Sequence, residues 1–378
     1  MRTGRRTSAA WVAVVALAAG GLAACGGSDE LEAGPVTTRR SRFPVAVVPT
    51  STPSVTNPFG GAALVPTTST TRKPVAATGG GGAATTTAPV TAPPRVRPAE
   101  TPMPAARTSI AGEAWQGYVV IAGGVDADGR LSSRVDAYDP RAGGWLRAPN
   151  LPVPLTDVAM AIQDDDLWVI GGFAAEGEQK IAQAATYRFQ PGGKAWEPGP
   201  MLDTPRGGAA VGTLNNTLIV IGGATTDGGT LDTVETLALG AEEWQSATPL
   251  SQRRAYASAI VGGGRIYTMG GRTEGVASSV GHVESWKPGD AWRAEQALAS
   301  KRSGAGASGL CVAGGENGDG TVASVECIAA RKWSTRFHMS VPRHGLAVVE
   351  LDGWLHLIGG RPNSGPSVIA THEVFDLR

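Results

Sequence analysis

The chain has 378 residues, of which 42% are hydrophobic, 17% charged and 6% aromatic, with 53 glycines and 26 prolines. That much glycine and proline disfavours a protein built from long uninterrupted helices. Its 33 basic and 33 acidic side chains balance, so no net field argues for a nucleic-acid partner.

Arg2, Arg5 and Arg6 precede the apolar run Trp11 to Ala18, the layout of a secretory signal. The run is too short for a settled transmembrane span. It ends in Leu22-Ala23-Ala24-Cys25, which resembles the lipobox of bacterial lipoproteins. The resemblance implies that residues 1–24 are removed and that Cys25 is lipidated as the first mature residue. A plain cleaved signal is the alternative. Losing three arginines and no acid leaves the mature chain at a net charge of −3. The expectation is an exported protein held by lipid to a bacterial membrane.

Residues 25–93 show no periodicity and read as a disordered stalk rich in Pro, Thr, Ala and Gly. Between Pro44 and Pro94 the only charges are Arg72 and Lys73, and the only aromatic is Phe59. Such a segment buries too little to offset its conformational entropy. A flexible chain of this length would span about 40–50 Å. The upstream cluster Arg39, Arg40 and Arg42 reads as a solvated charge run or as a contact to anionic lipid heads.

From residue 117 onward an apolar run ending in Gly-Gly recurs six times. The pairs are Gly123-Gly124, Gly171-Gly172, Gly222-Gly223, Gly270-Gly271, Gly314-Gly315 and Gly359-Gly360. Trp145, Trp196, Trp244, Trp292 and Trp333 each follow one of the first five pairs. Between pair and tryptophan lies a second strand signal, such as Val135 to Pro140 or Val283 to Pro288. Turn signals such as Asp128-Gly129 and Asp319-Gly320 suit tight hairpins. A unit of four short strands cannot bury both faces alone, so neighbours must stack.

These signals, in this order, resemble the Kelch repeat over residues 94–378. The resemblance implies an all-β fold, a six-bladed propeller whose blades are four-stranded antiparallel sheets around a channel. The sequence stops on the third strand of blade six. Residues 94–99 parallel the start of Trp145 to Pro154, so they are expected to supply the missing strand and close the ring.

Cys311 and Cys327 flank a hairpin centred on Asp319, which sets them opposite each other. An oxidising compartment then favours a disulfide, with two buried thiols as the alternative. His282, His338, His344, His356 and His372 show no metal-ligand spacing, and hairpin register sets His356 against Val374. They are read as filler or solvated side chains. No metal and no cofactor are expected. Copper oxidases on this fold use a Cys-linked Tyr, and cysteines confined to one hairpin do not fit that arrangement.

Arg107, Arg206, Arg254, Arg302 and Arg343 recur at the turn entering the first strand of their blades, and four of them stand 16 residues before the first glycine of the pair. Blade two has Leu155 there, with Asp157 nearby. Constant spacing in a ring predicts that the five guanidiniums surround one channel mouth, suited to a carboxylate-bearing ligand. Arg302 to Gly306 is similar to a local motif of animal Kelch adaptors that read acidic peptides. Ordinary repeat packing is the competing reading. The expected function is a tethered extracytoplasmic module that binds a protein, a cell-wall fragment, or an acidic or carbohydrate ligand. The alternative is an exported sugar-modifying enzyme, similar to Kelch-type mutarotases that process sialic acid. Glu235, Glu284 and Glu326 are its candidate acids, although they recur with the third strand. A spacer without any ligand is a third class.

Overall fold

The computed structural model of the protein describes residues 58–59, 100–362 and 367–378. The signal segment, Cys25, most of the expected stalk and residues 94–99 lie outside them.

Alternating apolar residues and tight turns give each repeat a set of short antiparallel strands. In blade one these are Ala111–Trp115, Tyr118–Ala122, Val135–Asp139 and Gly144–Ala148, paired in that order. Blades two to five repeat the four-stranded sheet, and blade six shows three strands among the described residues: Ala347–Leu351, Trp354–Ile358 and His372–Asp376. The first strands adjoin one another in circular order, and that of blade six lies against that of blade one. The protein is a six-bladed β-propeller.

Two sets of hydrogen bonds lock neighbouring blades. The second glycine of each pair donates its N–H to a carbonyl at the arginine position of the next blade, as Gly172 does to Arg206 at 2.9 Å and Gly360 to Arg107 at 2.9 Å. That close approach explains the glycines: a Cβ on Gly171 would stand 2.5 Å from the Arg206 carbonyl oxygen. The tryptophans add a second tie. The indole N–H groups of Trp145, Trp196, Trp244 and Trp292 donate to Thr101, Pro149, Pro200 and Thr248 of the preceding unit, at 2.8–3.0 Å. Trp333 is the exception, its indole nitrogen being buried without an acceptor among the described residues.

Residues before blade one behave as the exit of blade six. Met103 donates its N–H to the Ala370 carbonyl at 2.9 Å, as Leu151 does to Ser133 within blade one at 2.8 Å. Thr101 likewise takes the place of Pro149 in receiving an indole. The two ends of the domain therefore meet at blade six.

The register pairs Cys311 with Cys327, and a disulfide joins them. His356 does face Val374, yet its Nδ1 lies 2.8 Å from Nε2 of His372 on the diagonal. Both rings are buried against Tyr138. Burial holds His372 neutral, with its pKa pushed down to about 3.

Candidate functional site

The five arginines do not line the mouth. Each is 0–1% exposed and reaches away from the channel to an acid on the third strand of its own blade. Arg107 meets Asp136 at 3.0 Å, Arg254 meets Glu284 at 2.5 Å and Arg343 meets Glu373 at 2.5 Å, while Arg206 pairs with Glu235 and Arg302 with Glu326. Several also donate to the first glycine's carbonyl, as Arg206 Nη1 does to Gly222 at 2.8 Å. The acids in turn cap the incoming turn: Glu235 accepts the N–H of Asp203 at 2.8 Å, and Glu326 that of Ala299 at 2.7 Å. Spacing had established that the arginines are equivalent, but the side chains point into the blade. Blade two lacks both partners, with Leu155 and Tyr187 at the matching positions. An arginine and an acid that vanish together mark a structural pair. Glu235, Glu284 and Glu326 are therefore committed to arginine and are not free for acid–base chemistry.

The mouth belongs to the residue two positions after each arginine. These are Ser109, Asp157, Gly208, Tyr256, Gly304 and Gly345, all left-handed with φ between 53° and 63°. A ring of inter-blade bonds imposes this backbone. Asp157 N–H donates to Ser109 at 3.1 Å, Gly208 to Asp157 at 2.8 Å, Tyr256 to Gly208 at 2.7 Å, Gly304 to Tyr256 at 2.9 Å and Gly345 to Gly304 at 2.8 Å. Ile110 closes the circle onto Gly345 at 3.3 Å. Glycine is the residue at ease in this conformation, and three blades use it. The other three hold Ser, Asp and Tyr in a strained backbone, and their side chains share one opening.

That opening is a depression of about 100 Å³, leading into a channel of about 370 Å³ lined by the six first strands. Asp157 accepts from Thr156 Oγ1 at 3.2 Å, and burial pushes its pKa up against the pull of Lys180, Ser109 and Arg272. The Tyr256 ring covers Gly208 on one side and carries the Arg272 guanidinium 4.1 Å from its centroid. Burial and the Asp157 charge push the phenol up to about 12. Arg272 reaches Glu316 at 3.2 Å, and His344 Nε2 lies 3.6 Å from the other Glu316 oxygen. Burial lowers the His344 pKa, with Glu316 opposing. Glu316 thus lies within reach of both Arg272 and His344, while Arg361, bridged to His344 through the backbone, keeps a buried Nε with no acceptor among the described residues.

Glu113 stands alone inside the channel, where every other lining residue is uncharged. Among the described residues its carboxylate accepts only the adjacent Ala114 N–H, at 3.1 Å. The protein wall around this half-buried carboxylate displaces part of its water, and the pKa rises to about 7. Among the described residues no group of three or more His, Cys, Asp or Glu is placed to hold a metal ion.

Comparison with known proteins settles the repeat. The Kelch motif family model matches residues 106–152. The chain is 28% identical over 168 residues to Kelch repeat and BTB domain-containing protein 1 of Ectromelia virus, covering 44% of this chain and 29% of that protein. It is 29% identical over 133 residues to beta-scruin of Limulus polyphemus, covering 34% and 14%. The chain thus spans less than a third of either relative's length. The solved structure of YjhT superposes with a TM-score of 0.63 at 16% identity, over 72% of this chain and 95% of that one. The domain is a Kelch-repeat β-propeller.

Within the Kelch frame, the mouth residues carried a signal visible in sequence. Two residues beyond each arginine position, three blades have glycine and the other three have Ser109, Asp157 and Tyr256. Arg272 follows its Gly pair directly, and His344 follows Arg343. Glu316 gains its place from a hairpin pairing Glu316–Asn317 with Gly320–Thr321, the counterpart of a longer one in blade two that pairs Phe173–Glu176 with Gln179–Ala182.

Proposed function

We propose that this Kelch propeller is a binding module whose ligand seats at the mouth formed by Ser109, Asp157, Tyr256, Arg272, Glu316 and His344. The carrying observation is the left-handed backbone of Ser109, Asp157 and Tyr256, at positions that glycine fills in the other blades. Strain held at one opening by a rigid hydrogen-bonded ring is the pattern of a preorganised site. The carboxyls of Asp157 and Glu316 and the hydroxyls of Ser109 and Tyr256 stand beside Arg272 and His344, a mixed set of donors and acceptors that favours a ligand rich in hydroxyls. A carbohydrate, such as a cell-wall fragment, offers that chemistry. The lipobox-like Leu22 to Cys25 supports an exported, lipid-anchored protein that meets its ligand outside the membrane.

The test is a thermal-shift screen of the full chain against neutral sugars, anionic sugars, muropeptides and acidic peptides. A ligand at about 100 times its Kd adds about 2.7 kcal/mol. The expected result is a shift with a sugar that disappears in Asp157→Asn. A shift with acidic peptides that survives Asp157→Asn would sink the proposal.

A second reading has one observation behind it. Asp157 and His344 share the mouth, and burial pushes their pKa values towards the neutral forms of both. Sugar-ring opening needs a general acid and a general base, and a carboxyl and an imidazole at one mouth are groups of those types. Proton exchange at the anomeric centre of a bound sugar, followed by NMR, separates this enzyme from a pure binder.

A further inference from the structure

The far end of the propeller carries a second feature that the mouth does not use. Trp115 and Tyr118 stand at the hairpin joining the first two strands of blade one, at the opposite end of the strand that begins beside Ser109. Phe189 and Trp196 of blade two face them, and Trp115 Nε1 donates to the Asp165 carbonyl at 2.7 Å, bridging the blades. Into this cleft inserts Phe59. Its ring lies 5.4 Å from Trp115, 5.6 Å from Tyr118 and 6.1 Å from Phe189, between centroids, and only 4% of the residue is exposed. Beside it the Pro58 carbonyl accepts the Gly192 N–H at 2.8 Å. Composition places Phe59 in a disordered stalk. It is instead part of the core shared by blades one and two.

We propose that the cleft between blades one and two is a socket for a proline–phenylalanine pair, which the chain fills with its own Pro58-Phe59. Three aromatic walls at edge and tilted geometry suit one inserted ring. Proline ahead of it restricts the approach and leaves its carbonyl free for Gly192. The occupant is unambiguous, since Phe59 is the sole aromatic between Pro44 and Pro94. The socket lies at the end of the propeller opposite the Asp157 mouth, so filling it leaves that mouth open.

The test is hydrogen exchange on the full chain and on Phe59→Ala. In the intact protein the Gly192 amide is protected by Pro58. In Phe59→Ala its exchange speeds up at least tenfold, while the Val120 amide in blade one stays protected and shows that the fold is intact. A tethered segment acts at a concentration of about millimolar. A synthetic peptide of residues 56–61, supplied at several millimolar, therefore restores Gly192 protection in Phe59→Ala, and the same peptide with alanine for phenylalanine does not. Unchanged Gly192 exchange in Phe59→Ala would overturn the latch, and failure of the peptide to restore it would overturn the socket. Ligand binding at the far mouth is unaffected by Phe59→Ala, so the two proposals fail separately.

Discussion

Arg254 Nη2 lies 2.5 Å from Glu284 Oε2, with neither side chain in contact with bulk water. The same pair recurs in four other blades, and blade two replaces both members together with Leu155 and Tyr187. Burying two charges is unfavourable unless each satisfies the other, so removing one partner leaves an uncompensated ion. Arg206→Ala is expected to destabilise the fold by about 3–5 kcal/mol. The double change Arg206→Leu with Glu235→Tyr, which copies blade two, should lose markedly less than the sum of its single changes. Urea unfolding of the two singles and the double gives the coupling. Strictly additive effects would refute the pairing as a unit, and a lost ligand shift with unchanged stability would restore the arginines to the site.

Asp157 and Tyr256 invite the opposite substitution. Glycine occupies their place in three blades, and a left-handed backbone penalises a tyrosine by about 1–2 kcal/mol and an aspartate by less. Asp157→Gly relieves that strain and removes a desolvated carboxyl. Its melting temperature should equal or exceed that of the parent protein. Tyr256→Gly gains the same backbone ease but loses the ring packed on Gly208, so its stability should change little. Both variants should lose the ligand-induced thermal shift. If both keep it, the strained residues are not the recognition site.

The Cys311–Cys327 bond ties two strands of blade five across 16 residues. Closing a loop of this size restricts the unfolded chain by about 3 kcal/mol in the chain-entropy model. Reduction, or a double Cys→Ala variant, should lower stability by about 2–3 kcal/mol and leave the mouth intact. Calorimetry with and without reductant checks this. A shift in ligand affinity of comparable size would mean that blade five transmits strain to Glu316.

The architecture was legible because a propeller writes its geometry as a period. The glycine pairs, the tryptophans and the cysteine register are positional facts, and the structure places each where the spacing put it. Direction was not legible. Equal spacing made Arg206 and Arg254 equivalent but left open whether they pointed to the axis or into the blade. The joint absence of arginine and acid in blade two was the available signal. Phe59 was hidden for another reason: averaging over a long polar stretch hides a single residue whose partners lie in a distant part of the chain.

Glu113 supplies the pH dependence most open to measurement. Its pKa in the fold is about 7, against an ordinary value of 4.5. Between those values the folded chain holds a proton that the unfolded chain has released. Stability from this group is therefore full at low pH, falls as pH rises from 4.5 to 7, and levels off above 7. The loss is on the order of 1–3 kcal/mol, since channel water screens part of the effect. Glu113→Gln carries no charge at any pH and escapes this loss. The variant should match the parent near pH 4 and exceed it at pH 8 by that amount. His372, neutral in the fold with a pKa of about 3, acts with the other sign and weakens both proteins equally as pH falls below 6.5. Because the two share that acid limb, the difference between them isolates Glu113. Parallel stability curves from pH 4 to pH 8 would mean that the channel carboxylate is fully hydrated and ionises normally.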